Sequence, residues 1–264
     1  MSSQLAVLEM AALLRSGASA SAATKQFRIE ALSEFEKKQF RFIWSVAEVS
    51  GGQLALALDR LAEVLDNQQR QFSELKIAFA SPRATANLIL LLPIVAVFFS
   101  ELLGISAISA ALGTSLGAVA LGLGVILLIV ARVISLRQLH KARPREVDSG
   151  AYLDAVVIAL SAGLSPSAAA KLSSNKYQEI FLEPVGKTEQ RALESAILVS
   201  EQSGIALTGI LLARSDALRH GLWSARRAQI QKLGVSLMVP LGLAALPAFV
   251  LLAVVPLGLG LFSS

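Results

Sequence analysis

The sequence predicts an all-α integral membrane protein built from two repeated cytoplasmic helical-bundle units and three transmembrane helices. Three observations predict it: an internal duplication, the clustering of apolar residues, and the placement of basic ones. The duplication is read first, because it fixes the architecture before any single residue is considered. Glu48-Val49-Ser50-Gly51 recurs as Glu201-Gln202-Ser203-Gly204, and the two stretches then match without a gap at Leu54 and Leu207, Leu58 and Leu211, and Leu65 and Leu218. Upstream, Met10 to Gly17 lies over Val156 to Gly163, each followed by a Ser/Ala-rich helix start. One gapped step downstream, Leu91-Leu92-Pro93 falls on Ala245-Leu246-Pro247.

The chain has 264 residues, 54% of them hydrophobic, and their distribution favours a bilayer over one large soluble core. No Lys or Arg stands between Arg83 and Arg132, Glu101 is the only formal charge there, and nothing after Lys232 is charged. A span takes about 20 apolar residues. The first stretch therefore holds two spans, near Asn87 to Leu103 and Leu112 to Ile134. Leu233 to Phe262 suits one long or tilted helix carrying Pro240, Pro247 and Pro256. Arg132, Arg137, Lys141, Arg143 and Arg145 crowd the exit of the second span, Lys76 and Arg83 the entry of the first, and Arg226, Arg227 and Lys232 the entry of the third. These borders are expected to be cytoplasmic. The loop Gly104 to Ala111 and Ser264 would face outward, and the N-terminus inward.

Four segments follow: a cytoplasmic unit over residues 1–83, two spans over 84–137, a second cytoplasmic unit over 138–232, and a last span over 233–264. In the first unit Leu5, Leu8, Ala12 and Leu13 predict one apolar helical stripe, closed by Gly17. Ser19 is the expected N-cap of a short second helix. A third helix over Leu32 to Val49 carries Phe35, Phe40, Ile43 and Val46, and Gly51-Gly52 ends it. The fourth begins near Gln53, keeps Leu54, Leu58, Leu61 and Leu65 on one side, and is expected to break or kink at Ser81-Pro82. In the second unit Asp148-Ser149 opens a helix that Gly163 closes. Ser173 to Lys187, with Asn175, Pro184 and Gly186, reads as a loop. No segment carries a strand pattern.

Little in the chain points to catalysis. There is no cysteine, hence no disulfide or thiolate chemistry. His140 and His220 lie among polar or basic residues and read as solvated. The glycines from Gly117 to Gly124 lack the lysine of a phosphate loop and sit in a span, where they favour close helix packing. Glu101, near the outward end of its span, is read as reaching headgroups. Trp44 and Trp223 read as core or subunit contacts. The positive balance is a topology signal, and nucleic acid is not an expected partner. The first apolar run lacks a preceding Lys or Arg and is interrupted by Glu9, so no signal peptide is expected.

Taken together, the doubled motif Glu48 to Leu54 and Glu201 to Leu207, the helical repeats and the proline-bearing end, with Val239-Pro240-Leu241-Gly242-Leu243 and Leu246-Pro247-Ala248-Phe249, resemble the type II secretion F-domain family. These are the inner-membrane platform proteins of type II secretion systems, type IV pili and tight-adherence pili, and the C-terminal segment is most similar to the tight-adherence branch. The resemblance implies a multi-pass protein of the cytoplasmic membrane that is no enzyme, holds no cofactor or metal, and works with a cytosolic ATPase, pilin subunits and a sister platform protein or further copies of itself. Glu48, Ser50, Gly51, Glu201, Ser203 and Gly204 are the candidate site. Each carboxylate either satisfies the start of the next helix across its glycine turn or contacts a partner. The rival reading is a small transporter or channel subunit, which would place ionisable groups near the midplane of its spans. An enzyme acting on lipid-linked substrates would need an acid, base or metal cluster at the cytoplasmic face.

Overall fold

The computed structural model describes residues 3–102, 109, 112–141, 148–256 and 258–259. All regular structure among them is helical: α1 (Ser3–Arg15), α2 (Ala20–Gln26), a 3-10 turn (Ile29–Ala31), α3 (Glu34–Ser50), α4 (Leu54–Leu102), α5 (Ser115–Lys141), α6 (Ala151–Ser161), α7 (Pro166–Phe181), α8 (Lys187–Ser203) and α9 (Leu207–Phe249). The last runs into a π-helical turn, Val250–Val254. The chain divides into two compact units, one comprising Met1–Ser73 and Arg145–Ala225, the other Glu74–Pro144 and Arg226–Ser264.

In the first unit, helices from both ends of the sequence share one core. Val7 and Met10 of α1, Phe42 and Val46 of α3, Leu58 and Leu65 of α4, Leu153 and Val156 of α6 and Leu211 of α9 are all buried in it. Phe42 meets Tyr177 and Phe181 of α7 edge-on, at centroid distances of 5.5 and 5.7 Å, a favourable aromatic geometry. Local signals place the helix ends. Ser19 Oγ accepts the Ala22 N–H at 3.2 Å, and Ser165 Oγ accepts that of Ala168 at 3.3 Å. Ser33 and Glu36 form a reciprocal capping box at the start of α3.

Three expectations are corrected here. The buried face of α1 is Ala6, Val7, Met10 and Ala11, while Leu5 is 49% exposed and Ala12 is also exposed. Small alanines let α1 approach closely, so the larger leucines flank the contact instead of filling it. Residues 173–187 are not a loop: α7 runs to Phe181 and α8 starts at Lys187. Ala169, Leu172, Tyr177 and Ile180 turn toward the core at helical spacing, and Asn175 rides the exposed side. Only residues 182–186 connect the helices, with Leu182 in the left-handed cap position at φ 60°. Finally, of the break or kink expected at Ser81-Pro82, the break is not made: α4 is helical from Leu54 through Pro82 and Pro93 to Leu102. A proline deletes one backbone hydrogen bond, and the turns on either side keep the helix going.

In the second unit α5 contains the one helix among the described residues that is long and apolar enough to cross a bilayer, Ser115–Arg137. Of the expected glycine packing, Gly124 gives the clear case: an added Cβ would lie 2.5 Å from Leu252 Cγ in the π turn. Gly122, by contrast, faces open space. The spans expected near Asn87 to Leu103 and Leu233 to Phe262 fall partly outside the described residues. So do nearly all of the outward loop, Arg143, Pro144, Arg145 and Ser264.

Candidate functional site

Gly51 and Gly204 close α3 and α8 with left-handed backbone, at φ 73° and 70°, a conformation that costs a residue with a Cβ and suits glycine. The N–H groups of Gly51 and Gly52 both reach Ala47 O, and Gly204 N–H reaches Ser200 O at 2.9 Å. The hydroxyls turn back on their own helices: Ser50 Oγ donates to Ala47 O at 3.3 Å and Ser203 Oγ to Val199 O at 2.6 Å. Glu48 and Glu201 are exposed. Neither carboxylate accepts a bond from the following helix among the described residues, so the expected offset across the turn is not made. Both are left facing outward on the surface of the unit, and no hydrogen bond joins the two turns among the described residues.

A second constellation was not anticipated. Asp154 sits in the first turn of α6, 4% exposed, and Asp148 just before that helix, 7% exposed. Burying a charge is costly unless it is paired. Arg219 of α9 supplies the pair: Nε donates to Asp148 Oδ1 at 2.7 Å, and Nη2 to Asp148 Oδ2 at 3.1 Å and to Asp154 Oδ2 at 2.6 Å. From the opposite side of the chain, Arg60 of α4 lies 3.5 Å from Asp154 Oδ1 through Nε and donates to Asp216 through Nη2. Ser215 ties the two arginines together, accepting from Arg60 at 3.2 Å and donating to Asp154 at 2.8 Å. Gln39 Nε2 and the Gly150 N–H complete the shell of Asp148, at 2.8 and 3.0 Å.

The electrostatics follow. Burial pushes the Asp148 carboxyl up, but the Arg219 guanidinium and the two neutral donors outweigh it and hold the group below the usual carboxylate range. Burial likewise opposes the charge on Arg219, yet Asp148 and Asp154 raise its affinity for the proton. Gly150 makes room for this packing, since an added Cβ there would stand 2.6 Å from Arg219 Cζ and the guanidinium would have to shift. The cavity beside these side chains holds about 10 Å³, room for about one water, so the network is a packed joint between helices with no space for a reactant.

One signal in the sequence could have found it. Asp154 is the lone charge in an apolar run, Ala151 to Leu160, that is buried almost all round, and such a carboxylate demands a cation. The partners themselves lie far away along the chain.

With the geometry in hand, comparison with known families finds one match: residues 4–100, covering α1 to α3 and almost all of α4, match the family model for the type II secretion system protein F. Glu48, Ser50 and Gly51 lie inside that range; Glu201, Ser203 and Gly204 lie beyond it. No curated protein and no solved structure matches the chain. The match and the apolar helix Ser115–Arg137 together suggest a membrane protein, a platform component of a secretion or pilus machine.

Proposed function

We propose that this chain is a non-enzymatic platform protein of the cytoplasmic membrane in a tight-adherence or type IV pilus, or a type II secretion machine, and that it couples a cytosolic ATPase to pilin assembly. The match of residues 4–100 to protein F carries the reading. In the proposed arrangement the chain is two copies of one helical unit, joined to three spans, with the N-terminus inside and Ser264 outside. Two features of backbone geometry support the duplication. Among the described residues the glycines with positive φ are Gly17, Gly51, Gly163 and Gly204, which pair by the sequence overlay as Gly17 with Gly163 and Gly51 with Gly204. Ser19 and Ser165, each two residues past its glycine, both act as N-caps. The tight-adherence branch rests on the C-terminal sequence alone.

The ion network supports coupling. α4 and α9 are the helices that carry the expected first and third spans, and Arg60 and Arg219 bind both of them to the same carboxylate of α6. A push on α6 or on the outward-facing Glu48 and Glu201 turns would reach both.

Deletion of the gene tests the function: pilus output or secretion should vanish and return on complementation, and unchanged output removes the platform reading. Topology is tested separately by single cysteines at residues 2, 175 and 264 in this cysteine-free chain. Only the last should react with an impermeant reagent from outside intact cells.

A further inference from the structure

The second unit holds an open groove of about 610 Å³ lined by Ala84, Asn87, Leu88, Leu91 and Ile94 of α4 and by Leu128, Ile129 and Arg132 of α5. Its chemistry is divided. The α4 residues recur at helical spacing on one face, and beyond Asn87 they are aliphatic. Asn87 is one turn before Leu91, and Arg132 is one turn after Leu128 near the basic end of α5, where Arg137 follows. Arg132 is exposed and has no acidic partner among the described residues. A groove that is aliphatic along its length and offers a free guanidinium and an amide has the complement of an anionic amphiphile.

We propose that this groove binds an anionic phospholipid of the cytoplasmic leaflet, the phosphate against Arg132 and Asn87 and one acyl chain along Leu88, Leu91, Ile94 and Leu128. The assignment rests on the membrane-spanning reading, under which Arg132 lies at the cytoplasmic border. There a guanidinium reaches headgroups while its stem stays among apolar groups. The lipid lies along the open groove between the two helices, and its headgroup sets the level of Arg132 in the bilayer.

The test is native mass spectrometry of the full chain, purified in detergent and titrated with phosphatidylglycerol or phosphatidylcholine. Wild type should retain phosphatidylglycerol preferentially. Arg132→Gln should lower that preference about fivefold, the effect of one basic group at an anionic surface, while Arg137→Gln, outside the groove, should change it less than twofold. Leu91→Trp, filling an exposed position of the groove, should lower retention of both lipids. Equal losses for the Arg132 and Arg137 variants would reduce the site to general surface charge and overturn it. So would unchanged preference in Arg132→Gln, or a Leu91→Cys crosslink to a co-expressed pilin, which would assign the groove to a partner helix. Circular dichroism checks that each variant is folded. Retention of the chain in carbonate-washed membranes separates failure of the lipid site from failure of the membrane reading.

Discussion

α1 and α6 occupy matching places in the proposed duplication, yet the two helices are buried by different means. α1 is half covered: Ala6, Val7, Met10 and Ala11 face the core and the remaining side chains face outward or the rim. α6 is covered almost all round, from Ala151 to Val156 and again at Ile158 and Ala159, and its buried set includes a carboxylate. By the overlay, Leu8 of α1 stands where α6 has Asp154. Two helices of one pattern can thus be a peripheral clasp and a central post: α1 meets α4 through the solvent-accessible Arg15–Asp59 pair, whereas the post carries a buried ionic joint to both α4 and α9. Well-packed apolar residues in place of the whole network would cost little stability, whereas loss of one member leaves its partners buried without their counter-charge. What the carboxylate adds is a fixed register among three helices.

The strongest way to break that contrast is Arg219→Met. It leaves Asp148 and Asp154 buried without their shared cation, and we expect a loss of about 3 to 5 kcal/mol, read as a fall in thermal unfolding temperature in detergent. Replacing Met10 of α1 by Leu, a swap of similar volume, should cost less than about 1.5 kcal/mol. If both variants melt alike, α6 is no more central than α1. Leu58→Ala and Leu211→Ala probe the same core from the helices it joins. Both side chains are fully buried, and each truncation should cost about 2 to 5 kcal/mol. Gly150→Ala comes next, since the new methyl must displace Arg219: about 1 to 3 kcal/mol is expected, and no effect would mean the guanidinium can sit elsewhere.

The sign of the pH dependence sharpens the contrast further. Asp148 titrates below its unfolded value, so the native state binds fewer protons and its stabilisation is complete above the ordinary carboxylate pKa, about 3.9. That stabilisation disappears as the pH falls from there through the depressed native value. Unfolding temperature should therefore hold, as far as this group is concerned, from pH 7 to 5 and drop below about pH 4, with a shallower drop in Asp148→Asn.

How much of this was legible in the sequence depends on how local the cause is. Gly17, Gly51 and Gly163 end helices as read, because a left-handed cap is written in one residue, and Ser19 caps as read for the same reason. The stripe of α4 holds at Leu58, Leu61 and Leu65. The stripe of α1 does not, because which face is buried depends on the partner helix and not on periodicity alone. Asn175, Pro184 and Gly186 suggested one long loop, whereas only the last two lie outside helix; Asn175 costs α7 little on its exposed side. The ion network stayed hidden because its members come from residues 39, 60, 148, 154 and 215–219, and no spacing rule connects them.

The smallest structural effect belongs to the candidate motif itself. Glu48 and Glu201 are exposed and make no hydrogen bond among the described residues, so Glu48→Gln with Glu201→Gln should change stability by no more than about 0.5 kcal/mol each. That separates them from Arg219, whose removal would lower output simply by unfolding the unit. If the carboxylates meet a partner, the double variant should stay at wild-type abundance in the membrane while ATPase binding and pilus output fall. Abundance and output must be measured on the same cells. Normal output and normal ATPase binding at normal abundance would leave the two glycine turns as helix ends and move the search for the partner surface elsewhere on the first unit.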